Sequence, residues 1–315
     1  MLSYEDLCRH PNVFPALTGL KRAEFDSLLP RFTQAEAELR ARSCHTRQGH
    51  KPRQRSRGAG RPHDNTDADR LLMALMWLRV YPTYEVLGFF FGLHKRNAQL
   101  NVRWALEVLD SLSDFPFDRP GPDRKKMRSP AEVMAAFPGV RFLIDAKEQR
   151  INKPTGEEKQ KPYYSGKKKA HTIKTQLVVN PRGQIELVSD SVPGSTHDLT
   201  LLLDSGVLQR LGEGEGAMMD KGYVGVDKYF PDLPLVLPFK KPRGGELSDF
   251  QRDYNRRVAK GRIVVEHTIA QVNRFTVLRQ VFRGKQRQRH SKVICVVAKL
   301  VNERLAVTPL KTHAA

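Results

Sequence analysis

Acid, cysteine and long apolar runs are all in short supply in this sequence, and each shortage removes a class of protein. The 315 residues carry 34 Asp and Glu against 54 Lys and Arg, a formal charge of +20. So basic a chain points to a polyanionic partner, and charge alone leaves DNA, RNA and acidic membrane surfaces open. The three cysteines, Cys8, Cys44 and Cys295, lie far apart and form no CxxC pair, which argues against a zinc knuckle or a disulfide framework. No stretch approaches the ~18 consecutive apolar residues of a membrane helix. Met1–Asp6 has no basic start leading into an apolar core, so no signal peptide is readable. The expectation is a soluble intracellular chain without a membrane partner. Its apolar content of 39% with 22 Gly is that of a globular protein, and the length suggests about two domains.

Residues 40–62 hold eight Arg and Lys and no acid. Such a stretch cannot bury enough surface to fold alone; it reads either as a solvated linker or as a basic arm along phosphates, with Arg53, Arg55, Arg57 and Arg61 as contacts. Helical spacing flanks it: Phe25, Leu28, Leu29 and Phe32 upstream, then Asp67 to Val80, which Pro82 is expected to end. Thr83 is placed to cap a helix from Tyr84 to Phe91, with Glu85 in its first turn and Gly92 as its stop. A longer helix follows from Lys95 to Leu112, with Leu100, Trp104, Leu106 and Leu109 as its apolar side. Two helices around a short Gly-containing turn fit a helix-turn-helix over about 83–112. Lys95, Arg96, Asn97, Gln99 and Arg103 then suit base edges and phosphates, although an ordinary hairpin with a solvated face has the same pattern.

Residues 114–138 are proline-rich and read as a linker, after which strand pattern takes over. Val140 to Asp145 is a short strand ending in an acid. His171 to Asn180 alternates, with Ile173, Thr175, Leu177 and Val179 on one face; Asn180–Gly183 is a turn and Gln184 to Val192 the return strand. Thr196 to Leu203 reads as a helix capped by Ser195 or Thr196. Ala217 to Asp220 is a second strand ending in an acid, Leu233 to Phe239 a last strand, Ser248 to Val281 a long helical stretch, and Val293 to Leu305 a closing helix with Asn302, Glu303 and Arg304 at its polar end. The basic stretch Arg283 to Lys292 before it reads as a DNA contact or an exposed turn. This order describes an α/β layer domain.

Asp145 and Asp220 both sit where apolar strands end, at the rim where α/β sheets place ligands. Glu266 is out of place: helical spacing puts it beside Ile263, Ile269 and Ala270, where an ionised acid is costly unless paired or bound to metal. Arg262, four residues earlier, offers the plain alternative of a salt bridge. Three such acids suit two Mg²⁺ ions, with Mn²⁺ as a substitute, acting on a phosphodiester. Asp198 is the rival second ligand, although a first-turn acid there is also explained by the helix dipole. His197 fits a supporting or capping role. Lys167, Lys168, Lys169, Lys221 and Tyr223, next to these acids, are candidate phosphate contacts.

At these residues the sequence resembles the DDE-type transposases of bacterial insertion sequences, in the branch related to Harbinger elements. The resemblance runs from about Asp67 to Leu305. It is carried by Tyr81-Pro82-Thr83 with Val86-Leu87-Gly88, by Phe142 to Asp145, and by Tyr163 to Lys169 with His171-Thr172. Pro193 to Asp198, Asp220-Lys221-Gly222-Tyr223 and Arg262 to Glu266 complete it. The resemblance implies an α/β ribonuclease-H-like catalytic domain preceded by an all-α helix-turn-helix domain, with the triad on Asp145, Asp220 and Glu266, and DNA contacts that include His171 and Arg262. It divides the chain into a helical domain 1–113, a linker 114–138, a catalytic domain 139–306 and a tail 307–315. It implies cleavage and strand transfer at terminal inverted repeats, double-stranded DNA as partner, a homodimer or larger assembly, and a bacterial, cytoplasmic, nucleoid-associated location. The chain departs from the family pattern at Ala259 (usually Tyr), at Asn273 (usually Lys, with Arg274 beside it) and at Lys147, where Thr is frequent. Two rivals stand beside this reading: a domesticated DNA-binding regulator without catalysis, and a ribonuclease-H-type nuclease.

Overall fold

The computed structural model describes residues 1–46, 65–112, 139–284 and 286–307. The arm residues Arg53, Arg55, Arg57 and Arg61, the linker and the chain beyond 307 lie outside the described residues. The chain divides into two units, Met1–Phe115 with Arg274–Val277, and Pro116–Asn273 with Leu278–Ala315.

The first unit is helical: α1 Tyr4–Cys8, α2 Val13–Thr18, α3 Arg22–Thr46, α4 Asp67–Val80, α5 Tyr84–Phe91 and α6 Lys95–Ser111. Its centre is α4, whose run Leu71–Leu78 is apolar on every side and buried throughout, as expected of a helix with no polar face. Thr66 and Asp69 form a reciprocal capping box at its start, and Asp69 also accepts the Tyr4 amide at 2.8 Å, tying α1 to it. The helix ends at Val80 as expected, with Tyr81 turned left-handed at φ 60° ahead of Pro82. Glu36 of α3, buried, accepts from Arg40 of its own helix, Arg70 of α4 and Trp104 of α6. Helix α3 itself runs on to Thr46, so the first residues of the expected basic arm continue it.

The α5–turn–α6 segment follows the expected local rules. The Thr83 hydroxyl accepts the Val86 amide and Gly92 closes α5 at φ 64°. Gly88 is required by close approach: a Cβ there would stand 2.3 Å from the Leu93 carbonyl oxygen. Helix α6 buries Ala98, Val102, Ala105, Leu106, Val108 and Leu109. Leu100, expected inside, is 51% exposed, because two residues past Ala98 is about half a helical turn and faces away.

The second unit is a seven-stranded mixed sheet covered by helices. Its strands are β1 Val140–Arg150, β2 Tyr164–Ser165, β3 Ala170–Val179, β4 Ile185–Val188, β5 Val192–Pro193, β6 Gly216–Met219 and β7 Leu235–Val236. Its main helices are α7 Asp198–Ser205, α8 Asp249–Asn273 and α9 Arg287–Val307. The order is β2-β3-β1-β6-β7, with β4 and β5 also paired to β3. Strands β1 and β3 are antiparallel, and β1, β6 and β7 are mutually parallel. One face packs Phe142, Ile144, Val178, Ala217 and Met219 against Leu202, Leu208 and Tyr223. Helix α8 covers β1, β3 and β6 with Val258, Gly261, Val264, Val265, Thr268 and Val272. Cover on both faces explains why β3 is buried almost continuously, where a half-buried alternation was expected.

Several expected boundaries shift for local reasons. Strand β1 does not end at Asp145; its antiparallel pairing with β3 continues to Arg150 opposite Thr172. The expected strand from Gln184 to Val192 breaks into β4 and β5, because the Ser189 hydroxyl between them takes the Gln176 amide of β3. Helix α7 begins at Asp198 with His197 in the capping position, since the Ser195 hydroxyl bonds the Pro162 carbonyl instead. The long helix stops at Asn273, and β7 is only two residues long. Helix α9 starts at Arg287 and so takes in much of the basic stretch before Val293. Asn302 and Glu303, expected at a polar end, are buried; Asn302 accepts the Ile185 amide at 2.9 Å and donates to the Ile185 carbonyl at 2.8 Å.

Candidate active site

Register decides where the acids meet. The parallel pairing of β1 with β6 ends at Ile144 opposite Met219, so Asp145 and Asp220 are the next residues on adjacent strands. Asp145 keeps a strand conformation, locked opposite Leu177 of β3. Asp220 instead caps the one-turn helix Lys221–Tyr223, its carboxylate accepting the Gly222 amide at 2.7 Å. Burial pushes the Asp145 carboxyl up to about 6; Arg262 pulls against that shift, and the charges of Asp220 and Asp198 reinforce it. The Ala146 amide at 2.8 Å and the Arg262 guanidinium at 3.3 Å hold the Asp145 carboxylate.

Asp198 joins the same cluster. A Cβ on Gly222 would lie 2.6 Å from Asp198 Oδ2 and 2.9 Å from Asp220 Oδ1, so only glycine lets these two carboxylates flank the turn. Asp198 is ion-paired with Lys174 of β3 at 2.8 Å, and the same ammonium donates to the Thr196 carbonyl at 2.6 Å. The sequence pattern does not single out Lys174; the available signal is that it is the one Lys, Arg, Asp or Glu in β3. His197 stands at the capping position of α7 through its backbone, while its side chain is exposed and makes no capping bond.

Glu266 is exposed rather than set on an apolar face, and Ile263 and Ala270 are exposed with it. The buried side of α8 runs instead through Val258, Gly261, Val264, Val265, Thr268 and Val272. Nor does Arg262 pair with it: that guanidinium reaches Asp145 instead. Arg262, Glu266, Ile269 and Asn273 nonetheless fall on one helical stripe. Arg262 touches Asp145, while Ile269 and Asn273 line the cleft that opens there. Glu266 thus lies on the stripe that faces the acid pair. Among the described residues no three His, Cys, Asp or Glu side chains stand close enough to ligate one ion.

The cleft has a volume of about 480 Å³ and runs along β1 from Asp145 to Arg150. Lys167 and Lys168 form part of its wall and are exposed, as is Lys169, which sits at φ 46° in the tight turn before β3. Burial, helped by Lys168, pulls the Lys147 ammonium down to about 8. Behind the cleft is a hydrogen-bonded chain that sequence did not reveal. The Gln149 amide donates to the Gln280 carbonyl at 2.8 Å, which leaves its oxygen to accept from His290 Nε2, also at 2.8 Å. His290 Nδ1 then accepts from Ser191 at 2.7 Å, and Ser191 meets Thr175 at 2.9 Å.

The remaining candidates divide by exposure. On α6, Lys95, Arg96, Asn97 and Arg103 are exposed and Gln99 half-buried; Lys95 pairs with Glu85 at 3.1 Å. Lys221 is exposed, and His171 is half-buried with its ring edge on Tyr164. Tyr223 is a correction. It is fully buried in the core and its hydroxyl accepts from Gln176 at 3.1 Å, so it is a packing residue out of reach of phosphate.

Comparison with known proteins identifies relatives of this chain. Residues 144–302 match the family described as DDE superfamily endonuclease. Residues 68–114 match the helix-turn-helix of DDE superfamily endonuclease. The chain is 30% identical over 220 residues to the probable transposase for insertion sequence element IS702 of Microchaete diplosiphon, covering 70% of this chain and 74% of that protein. No solved structure matches.

Proposed function

The chain belongs to the DDE superfamily of transposase endonucleases and is an enzyme of that class, and from that premise we propose that it cuts and joins DNA at the ends of its own element. Residues 1–113 serve as the end-binding domain and 139–306 as a ribonuclease-H-like catalytic domain. Antiparallel β3 and β4 on one side of β1, parallel β6 and β7 on the other, and helices on both faces support that assignment. In α6, the exposed Arg96, Asn97 and Arg103 read and grip the terminal inverted repeats, and the arm 40–62 adds phosphate contacts.

The observation that carries the catalytic reading is the shared register of Asp145 and Asp220 one step beyond Ile144 and Met219. With Glu266 on the facing stripe of α8, they would supply an all-oxygen donor set suited to two Mg²⁺, or to Mn²⁺ in their place, once the Glu266 side chain is brought to the pair. The fit is electrostatic as well: the Asp145 carboxyl is pushed up by burial and by two neighbouring acids, a surplus of negative charge that a divalent cation relieves. When bound, the ions supply charge stabilisation to both the attacking and the leaving oxygen of an in-line displacement. Arg262 orients Asp145, and the Gly222 amide orients Asp220. Lys174 occupies Asp198, which favours Asp220 over Asp198 as the second ligand. Glu266, exposed on its stripe, would turn toward the pair to complete the set when the ions are bound. Lys167, Lys168 and Lys169 hold the substrate strand beside them. Water is the nucleophile for end cleavage and the freed 3′-hydroxyl for joining, with two ends held by a dimer or larger assembly.

The test is an excision and strand-transfer assay with DNA flanking the gene as donor. Asp145→Asn, Asp220→Asn and Glu266→Gln should each lose about a hundredfold or more of product while retaining end binding. Product surviving Asp220→Asn but lost in Asp198→Asn would move the second ligand to Asp198. End-specific binding without any cleavage by the wild type would make the protein a DNA-binding regulator.

A further inference from the structure

The cleft continues past Asp145, and its charge is not that of a site for cations alone. Lys147, Arg150, Lys167, Lys168 and Arg279 line it against Asp145 and Glu148. Arg150, Lys167, Lys168 and Arg279 are exposed, as surface cations usually are, but Lys147 is only 9% exposed. Its ammonium donates to the Leu278 carbonyl at 2.7 Å, and no carboxylate pairs with it among the described residues. Glu148, the next residue along β1, is bonded to the Thr172 hydroxyl at 2.5 Å. A buried ammonium has three donors and is costly to leave without an anion. The Leu278 carbonyl fixes one donor, and the cleft is the open direction for the others. Lys147 also shares a strand face with Asp145, about 7 Å further along.

We propose that Lys147 is a phosphate-positioning residue that receives a DNA phosphate neighbouring the scissile one, seated in the cleft between β1 and the wall formed by Lys167 and Lys168. This rests on the reading of Asp145 as the first catalytic acid. The anchor to Leu278 sets the ammonium in place before DNA arrives, so the bound phosphate fixes the register of the strand over Asp145. The surface lysines add attraction without that precision.

The test uses the full chain and a duplex carrying the element end and its flank, in which single phosphates around the cleavage point are replaced by uncharged methylphosphonates. In the wild type, one replacement beside the scissile phosphate should weaken binding about tenfold. Lys147→Met should bind the unmodified duplex about tenfold more weakly and lose nothing further from that same replacement. Lys147→Gln, which retains a donor for Leu278 but no charge, should behave as Lys147→Met does, and both should lower the slope of log affinity against log salt by about 1. A variant with only a structural defect would keep the wild-type replacement profile and slope, and that result overturns the proposal. Wild type that cleaves ends normally but shows no sensitive neighbouring phosphate overturns it while leaving the transposase reading intact. Failure of the wild type to bind the duplex overturns both.

Discussion

The buried His290 should make the second unit sensitive to acid, and the size of the effect follows from its surroundings. The ring is 2% exposed, and burial with the nearby Lys147 charge lowers its pKa from 6.5 to about 3. The folded chain therefore keeps the imidazole neutral while the unfolded chain protonates it. Stability from this group is present in full above pH 6.5 and is lost as pH falls toward 3. Between pH 7 and pH 5 the loss is about 2 kcal/mol. Asp145 acts in the opposite direction: its pKa rises from 3.8 to about 6, so the folded form holds a proton the unfolded form has lost, and acidification over the same range restores about 1 kcal/mol. A single wild-type pH series would show only the remainder, so His290→Leu is needed as the reference. That variant should lose about 2 kcal/mol at pH 7, because Ser191 and Gln149 are left with unmet bonds. Its further loss between pH 7 and pH 5 should be smaller than the wild type's by about 2 kcal/mol. Both tryptophans, Trp77 and Trp104, lie in the first unit, so their fluorescence reports the wrong unit. The suitable measurement is urea-dependent amide exchange in β3, with a chelator present. Parallel pH dependences for wild type and variant would refute the buried neutral ring.

Three further outcomes follow from described contacts. Glu36→Ala removes the buried carboxylate that Arg70 reaches and leaves that guanidinium only the half-buried Asp67 at 3.2 Å; it should destabilise the first unit by about 3 kcal/mol, read directly by the fluorescence of Trp104, whose indole bonds Glu36. Gly222→Ala should leave the melting of the second unit within a few degrees of wild type but cut cleavage about a hundredfold, because the new methyl displaces the Asp198 and Asp220 carboxylates; undiminished cleavage would count against the acid cluster. Asn302→Leu strands the amide and carbonyl of Ile185 and should cost about 2–3 kcal/mol in urea unfolding.

Much of this architecture is legible from local chemistry. Thr83, Gly92 and the apolar run of α4 specify α4, α5 and α6 almost to the residue, since caps and helical period act over a few positions; α1, α2 and the extension of α3 to Thr46 are not among the expected helices. Asp145 and Asp220 are visible as acids after apolar strand segments for the same reason. What sequence could not supply is pairing at a distance. The run of apolar residues stops at Asp145, so the polar half of β1 goes unseen until β3 is found opposite it. Helical spacing puts Glu266 beside Ile263, Ile269 and Ala270 and so suggests an apolar face, whereas the buried stripe runs through Val258, Gly261, Val264, Val265, Thr268 and Val272. The ion pairs Arg262–Asp145 and Lys174–Asp198 join residues 117 and 24 positions apart, separations at which local pattern carries no information. Tyr223, next to a catalytic candidate in sequence, points into the core because a one-turn helix intervenes.

The bonds from Asn302 to Ile185 bear on how the molecule avoids its own kind. An outer strand presents unmet amides and carbonyls, and these template the addition of a strand from another chain. At Ile185 both groups are already taken by a single side-chain amide reaching in from α9, a counterfeit residue of strand that cannot be extended. At Ile185 the rim of the sheet is thereby closed to strand addition by a side chain from another element, beside the charge of Glu186 and the register shift in the β3–β4 pairing. Replacing Asn302 should accordingly raise the tendency to aggregate by more than the lost stability alone accounts for.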